Sequence, residues 1–272
     1  MSEDKEIKSL EDKTRHIRGL IIRMLVKAGS GHPGGSLSSA DIITALYFKE
    51  LRYNPKDPGW PDRDRFHLSK GHCCPALYAA LSEAGYFPQE HLWTLRRLGS
   101  ILQGHPDRRT PGIEVASGSL GQGLSVALGM SLAGRIDNKD YRVYCLMGDG
   151  ETQEGNVWEA AMACSHYKCD NLCAVIDCNG FQIDGCTGEI MSLEPISDKW
   201  RSFGWNALEI NGHSMPEILK AFEEAKAAKG RPSIIIARTT KGKGVSFMEN
   251  VLEFHGRAPT KEEAEIALKE LE

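Results

Sequence analysis

Two short segments place glycines around oxygen-bearing side chains in a way that suits a hard cation. Gly148-Asp149-Gly150 follows the apolar run Tyr141–Met147 and precedes a helical stretch. The glycines let the backbone turn sharply at the carboxyl end of a strand, where open α/β folds bind ligands, and leave one carboxylate projecting. On its own, that pattern also describes a strand-end turn with a solvated aspartate. The next strand ends in Asp177-Cys178-Asn179-Gly180-Phe181. A right-handed crossover between parallel neighbours returns the chain to the same edge of the sheet, so Asp149 and Asn179 are expected side by side. A carboxylate, an amide oxygen and a nearby backbone carbonyl form a set that suits Mg²⁺ shared with phosphate oxygens, because Mg²⁺ favours six-coordination and seldom has an all-protein cage. A diphosphate-bearing cofactor would supply the remaining ligands.

A second candidate phosphate element is Ala116-Ser117-Gly118-Ser119-Leu120-Gly121-Gln122-Gly123, three glycines at the mouth of a helix. Free backbone N–H groups and the positive end of the helix dipole suit an anion there, while the same glycines suit close packing. Histidines give the third signal. Five of nine adjoin a glycine (His32, His72, His105, His213 and His255), where about two would be expected with 28 glycines in 272 residues, a content above the average usage of ~7%. Loop-tip imidazoles suit phosphate contact or proton transfer near neutral pH. His213 reads as a solvated loop residue, and His16, His67, His91 and His166 have no site-like context.

The elements that must position these groups are legible from periodicity. Residues 6–28 read as a long helix, because Ile7, Leu10, Ile17, Leu20, Ile21, Met24 and Leu25 recur at helical spacing up to Gly29-Ser30-Gly31. Further helices are expected at about 39–51, 76–84, 89–98, 120–135, 153–167, 214–229 and 261–272, with a Pro/Gly-rich loop at 54–64. Short apolar, β-forming runs at 141–147, 172–177, 206–210 and 233–238 alternate with helices. This order predicts an α/β fold, a parallel sheet with helices on both faces, in a single domain spanning 1–272.

Composition narrows the classes. Hydrophobic residues make up 41% and charged residues 26%, which excludes wholesale disorder. The net charge of −4, without a long basic run, argues against nucleic-acid binding. No apolar run approaches the ~20 residues that span a bilayer, and the charged start is unlike a signal peptide, so a soluble, cytoplasmic protein is expected. Cys164, Cys169, Cys173, Cys178 and Cys186 lie close together but form no CxxC pair. They read as reduced cysteines acting as small hydrophobes rather than as a metal cluster.

Taken in order, Ser30-Gly31-His32-Pro33, Ser69-Lys70-Gly71-His72, Gly104-His105-Pro106, the Gly118–Gly123 loop, Gly148-Asp149-Gly150 with Glu151 and Glu154-Gly155, Asp177–Asp184, Thr240-Lys241-Gly242-Lys243-Gly244 and Phe254-His255-Gly256 resemble transketolase. The matches cover nearly the whole chain. The resemblance implies a thiamine diphosphate and Mg²⁺ enzyme of the pentose phosphate type, moving two-carbon ketol units between sugar phosphates, with the hard chemistry carried by the cofactor. It implies that Asp149 and Asn179 bind Mg²⁺ through their side chains and Phe181 through its carbonyl. It also implies that Gly118, Ser119, Leu120, Gly150, His72 and His255 hold the diphosphate and thiazolium, with Ile183 on the ring and Lys241 close by. His32, His105 and His255 would line the substrate channel, and Glu154 would join the hydrogen-bonded link between paired active sites. Phe181 stands where an aliphatic residue is usual and Phe254 where Trp is frequent, both mild departures. Full-length transketolases continue into a pyrimidine-binding and a C-terminal domain. The resemblance therefore implies the N-terminal subunit of a split transketolase, completed by a separate C-terminal chain as two copies of each. The alternatives are a deoxyxylulose-phosphate synthase-like chain, the α chain of a 2-oxoacid dehydrogenase and a non-catalytic cofactor-binding module. The Ser-Gly-His-Pro and Ser-Lys-Gly-His segments favour transketolase over the first two, and the channel histidines argue against the last.

Overall fold

The structure, a computed structural model, describes residues 3–272. Five parallel strands build its sheet: Arg65–Leu68 (β1), Val143–Gly148 (β2), Leu172–Cys178 (β3), Asn206–Asn211 (β6) and Ser233–Arg238 (β7), in the order β1-β2-β3-β7-β6. Between β3 and β6, Phe181–Gln182 (β4) and Gly185–Cys186 (β5) form a small antiparallel hairpin. Continuous apolar runs suit the central strands because both faces of the sheet are covered. Alternation along each strand divides its side chains: Tyr144, Leu146, Cys173 and Val175 join one apolar cluster, and Val143, Cys145, Met147, Leu172, Ala174 and Ile176 join the other. The helices Glu3–Ala28, Ala40–Ala45, Cys74–Glu83 and Met215–Ala227 pack into the first cluster, and Gly123–Ile136, Gly155–His166 and Ile196–Ser202 into the second. The expected α/β sheet with helices on both faces is the one observed.

Local differences have local causes. β1 falls just after the stretch read as a loop and is not among the expected strands: Arg65-Phe66-His67-Leu68 alternates polar and apolar, but four residues are too short a run to stand out. The segment at 89–98 holds only a 3₁₀ stretch, Gln89–Thr94, and the chain turns at Arg96 with φ +61°. Pro33 begins an unpredicted short helix, Pro33–Ser38, at a position where its missing N–H costs nothing. The helix expected from 120 starts at Gly123, because Gly118 and Gly121 adopt φ +146° and +82° and so belong to the preceding turn. Among the crowded cysteines, Cys164, Cys169 and Cys173 are buried, Cys178 and Cys186 are half-buried, and all are free thiols. Among the described residues no cluster of three or more His, Cys, Asp or Glu could hold a metal ion. No helix among them is long and apolar enough to cross a membrane.

Since the five strands are parallel, all their carboxyl ends lie along one edge of the sheet. Ser69-Lys70, Asp149, Asn179, His213 and Thr240-Lys241 follow β1, β2, β3, β6 and β7 respectively. The fold thereby gathers motifs that are far apart in sequence.

Candidate active site

The pairing of β2 with β3 sets Gly148 opposite Asp177. The two turns beyond that pair meet as expected: the Gly180 N–H donates to the Asp149 carboxylate at 2.7 Å, and the Gly150 N–H donates to its other oxygen at 2.9 Å. Asn179 is fixed by its own amide. Its Nδ2 donates to Asp177 at 3.1 Å, so its Oδ1 is the oxygen left to face a ligand, accepting the Phe181 N–H at 3.2 Å. Burial and the nearby Asp177 push the Asp149 carboxyl up to about 6. A carboxylate this buried, with only part of its charge offset, fits a cation, and the three oxygens of Asp149, Asn179 and the Phe181 carbonyl are the hard donors Mg²⁺ prefers.

These groups open into a cavity of about 370 Å³. Its lining includes His32, His72, His105, Gly118, Leu120, Asp149, Gly150, Glu154, Asn179, Phe181, Ile183, Lys241 and His255. Ser119 is the one expected site residue outside that lining; it is exposed on the turn between Gly118 and Leu120. Glu154 is exposed at the rim, at the start of the helix Gly155–His166. The glycine-rich loop serves both readings at once. Gly118 and Leu120 face the cavity, whereas the Gly121 N–H is already taken by Glu151 at 3.0 Å, and a side chain at Gly123 would strike Ser69.

Three histidines cluster in the same lining. The rings of His32, His72 and His255 lie 5.1–5.7 Å apart, with His72 and His255 stacked. Burial, with the positive charges of Arg96 and Lys241 nearby, lowers His32 to about 4. Burial and Lys241 lower His255 to about 3, and burial and Lys70 also depress His72. Each is therefore a neutral imidazole near pH 7, able to donate at one nitrogen and accept at the other. The Lys241 ammonium lies 2.8 Å from His255 Nδ1 and 3.3 Å from the Phe181 carbonyl. A protonated lysine only donates, so the His255 ring proton sits on Nε2. Burial and the like charge of Lys70 bring Lys241 down to about 8, which leaves it largely charged at neutral pH. His105, at the exposed end of the group, is also depressed by partial desolvation and by Arg96. His32 Nδ1 is buried without a hydrogen-bond partner. An orphaned polar atom on the wall, a buried carboxylate and a set of oxygen donors together fit a polar, phosphate-bearing cofactor with its cation.

At the cavity floor, which Lys70 and Glu151 help to line, lies a network that sequence reasoning missed. Lys70 and Asp177 form an ion pair with side chains at most 2% exposed. Asp177 also accepts from the Ser38 hydroxyl at 2.6 Å, the Ser39 hydroxyl at 3.2 Å and the Thr239 hydroxyl. Burial alone would lower Lys70, but the Asp177 carboxylate outweighs it and holds the ammonium above its ordinary range. Burial would raise Asp177, yet Lys70 and the hydroxyls hold it below the ordinary carboxylate range. Glu151, also buried, accepts from Ser69 Oγ and from the Gly121 and Gly148 N–H groups, both of the latter at 3.0 Å, tying the glycine loop to β1 and β2. A lysine immediately before Gly71-His72, and an aspartate closing the apolar run of β3, were the available signals. Lys70→Met strands a buried charge, which costs ~3–5 kcal/mol. The thermal midpoint should fall by about 10 °C on the usual conversion for a domain of this size. Scanning calorimetry checks this, and an unchanged midpoint would show that the pair does not support the floor.

His213 is a correction. It is not a solvated loop residue: its side chain is 13% exposed, its Nδ1 lies 2.7 Å from Asp41, and its Nε2 accepts the Thr240 N–H at 2.8 Å.

Comparison with known proteins places this architecture. The family described as "Transketolase, thiamine diphosphate binding domain" matches residues 10–271. The chain is 50% identical to the 6-deoxy-6-sulfo-D-fructose transketolase subunit SqwG of Clostridium sp. (strain MSTE9), covering 97% of this chain and 96% of that one. It is 47% identical to an apulose-4-phosphate transketolase subunit of Phocaeicola vulgatus, covering 98% and 95% respectively. The crystal structure of transketolase from Campylobacter jejuni superposes with a TM-score of 0.93 at 36% identity, over 97% of this chain but only 43% of that longer one. The chain belongs to the transketolase family, as its thiamine diphosphate-binding domain.

Proposed function

We propose that this chain is the diphosphate-binding half of a two-chain transketolase, transferring two-carbon ketol units between sugar phosphates. The observation that carries the reading is the cavity itself, whose one lining brings together Asp149, Asn179 and Phe181 with the neutral imidazoles of His32, His72 and His255. Two relatives matched over 95% or more of their own length are named transketolase subunits, which supports a second chain here. Asp149, Asn179 and the Phe181 carbonyl would hold Mg²⁺ against the diphosphate, with Gly118, Ser119, Leu120, Gly150, His72 and Lys241 around it and Ile183 against the ring. When bound, thiamine diphosphate supplies the electron sink for the carbanion left as the ketose carbon–carbon bond breaks.

The chain's own residues orient and protonate. His255, with its proton fixed on Nε2 by Lys241, donates from that nitrogen. His32 and His105, uncharged near pH 7, accept a hydroxyl proton and return it, the work of a general base and acid. Glu154 on the rim is read as the acidic group that meets a second copy of the chain, in an assembly of two copies of each subunit.

Mixing the purified chain with its complementary chain, a ketose phosphate, an aldose phosphate, thiamine diphosphate and Mg²⁺ tests the reading. Ketol transfer is expected from the mixture and little or none from either chain alone, with a native mass corresponding to two of each. No transfer at any ratio would overturn it.

A further inference from the structure

His213 links a buried ion pair to the loop that carries Lys241. It sits in the turn after β6, and that turn is pressed onto the end of β7: the Gly212 N–H donates to the Arg238 carbonyl at 2.8 Å, and a side chain at Gly212 would come within 2.5 Å of Thr239. From there the ring reaches in two directions. Nε2 accepts the backbone N–H of Thr240, which requires that nitrogen to carry a lone pair. The ring proton is thereby fixed on Nδ1, which donates to Asp41. Asp41 is itself buried and held by Arg18 at 2.5 Å, and Arg18 also donates to the Leu37 carbonyl.

Lys241 follows Thr240 directly. Its own carbonyl accepts the Asn250 N–H at 2.9 Å, and the next N–H, that of Gly242, donates to the Gly34 carbonyl at 2.9 Å. Three backbone groups around Lys241 (the Thr240 N–H, the Lys241 carbonyl and the Gly242 N–H) are thus each tied down, two by backbone and one by an imidazole. Without that imidazole the Thr240 N–H would lack its partner, which costs more than an exposed hydrogen bond.

We propose that His213 is a positioning residue for the reaction: by accepting the Thr240 N–H, it holds the loop that aims Lys241 at His255 and the Phe181 carbonyl. The proposal rests on the transketolase reading for the use made of Lys241, but its test does not. Two substitutions separate the two ends of the ring. In His213→Gln the amide oxygen reaches the place of Nε2 and can still accept from Thr240, while the contact with Asp41 is lost. In His213→Asn the amide nitrogen reaches the place of Nδ1 and can still donate to Asp41, while Thr240 is left without an acceptor.

Two readouts on the full-length chain, without cofactor or partner, decide it: amide hydrogen exchange at Thr240, and the rate of Lys241 acetylation by acetic anhydride followed by mass spectrometry. His213→Asn should lose Thr240 protection and speed Lys241 acetylation by about tenfold, the factor equivalent to one hydrogen bond. His213→Gln should leave both within about twofold, well under that hydrogen-bond factor. The reverse order, or equal effects of the two variants, would reduce His213 to a support for Asp41 and overturn the proposal. Should His213→Asn fail to fold, an unprotected Thr240 amide in the unaltered chain overturns it without any variant, and a protected one that His213→Gln preserves supports it. Because the readouts exclude ketol transfer, failure here is distinct from failure of the two-chain enzyme reading.

Discussion

Asp149→Ala is expected to weaken Mg²⁺-dependent binding of thiamine diphosphate by at least ~10²-fold, the loss that follows when one member of a buried charge pair is removed. The fold should survive, because the side chain lies at a strand-end turn and its removal relieves a penalty. Burial pushes this carboxyl up to about 6. A carboxyl whose folded value is raised destabilises the fold at pH above that value, and the penalty disappears as pH falls toward the ordinary range near 4. Without cofactor, the variant should therefore be at least as stable as the parent at pH 7. The same shift gives cofactor binding a pH dependence. Cation binding must expel the proton, so affinity should rise as pH increases to about 6 and level off above it. Isothermal titration calorimetry at pH 5, 6 and 7 measures both effects. Unchanged affinity in the variant, or a flat pH profile in the parent, would remove Asp149 from the metal site.

The second large effect is on the chemistry rather than on binding. His105→Ala should leave cofactor affinity within a few-fold, while ketol transfer by the assembled enzyme falls ~10²–10⁴-fold, the range for loss of a positioned proton-transfer group. The separation follows from placement. His105 packs over Gly118, where a Cβ would come within 3.1 Å of its ring, whereas the Asp149 carboxylate is held by the Gly150 and Gly180 N–H groups. Single-turnover rates measured at saturating cofactor test it. A rate equal to the parent's would make His105 a bystander on the rim.

Much of this architecture is legible in the amino-acid order alone, for definite reasons. The central strands carry uninterrupted apolar runs, such as Ile234-Ile235-Ile236, and so announce a sheet covered on both faces. The two glycine-flanked turns could be paired because a crossover rule fixes which strand ends meet, and Gly180 does donate to Asp149. What stays hidden depends on partners distant in sequence. Nothing near Lys70 in the chain reveals that Asp177 is its counter-ion, nor that Ser38 and Ser39 complete the shell around that carboxylate. β1 cannot be recognised alone, since only its pairing with β2, from Arg65 opposite Val143 onward, makes it a strand. His213 reads wrongly from sequence for the same reason, because both of its ring contacts come from other parts of the fold.

The uniform strand direction also bears on biogenesis. No two neighbours in the five-stranded sheet can be joined by a tight turn, so every pairing must wait for a long crossover. β1 finds its first neighbour only when Val143 has been synthesised, and β3 gains its second only after β6 has been made and passed over. Such non-local closure slows refolding and leaves apolar edges open in the interim. Dilution from denaturant should consequently give yields that drop steeply as chain concentration rises.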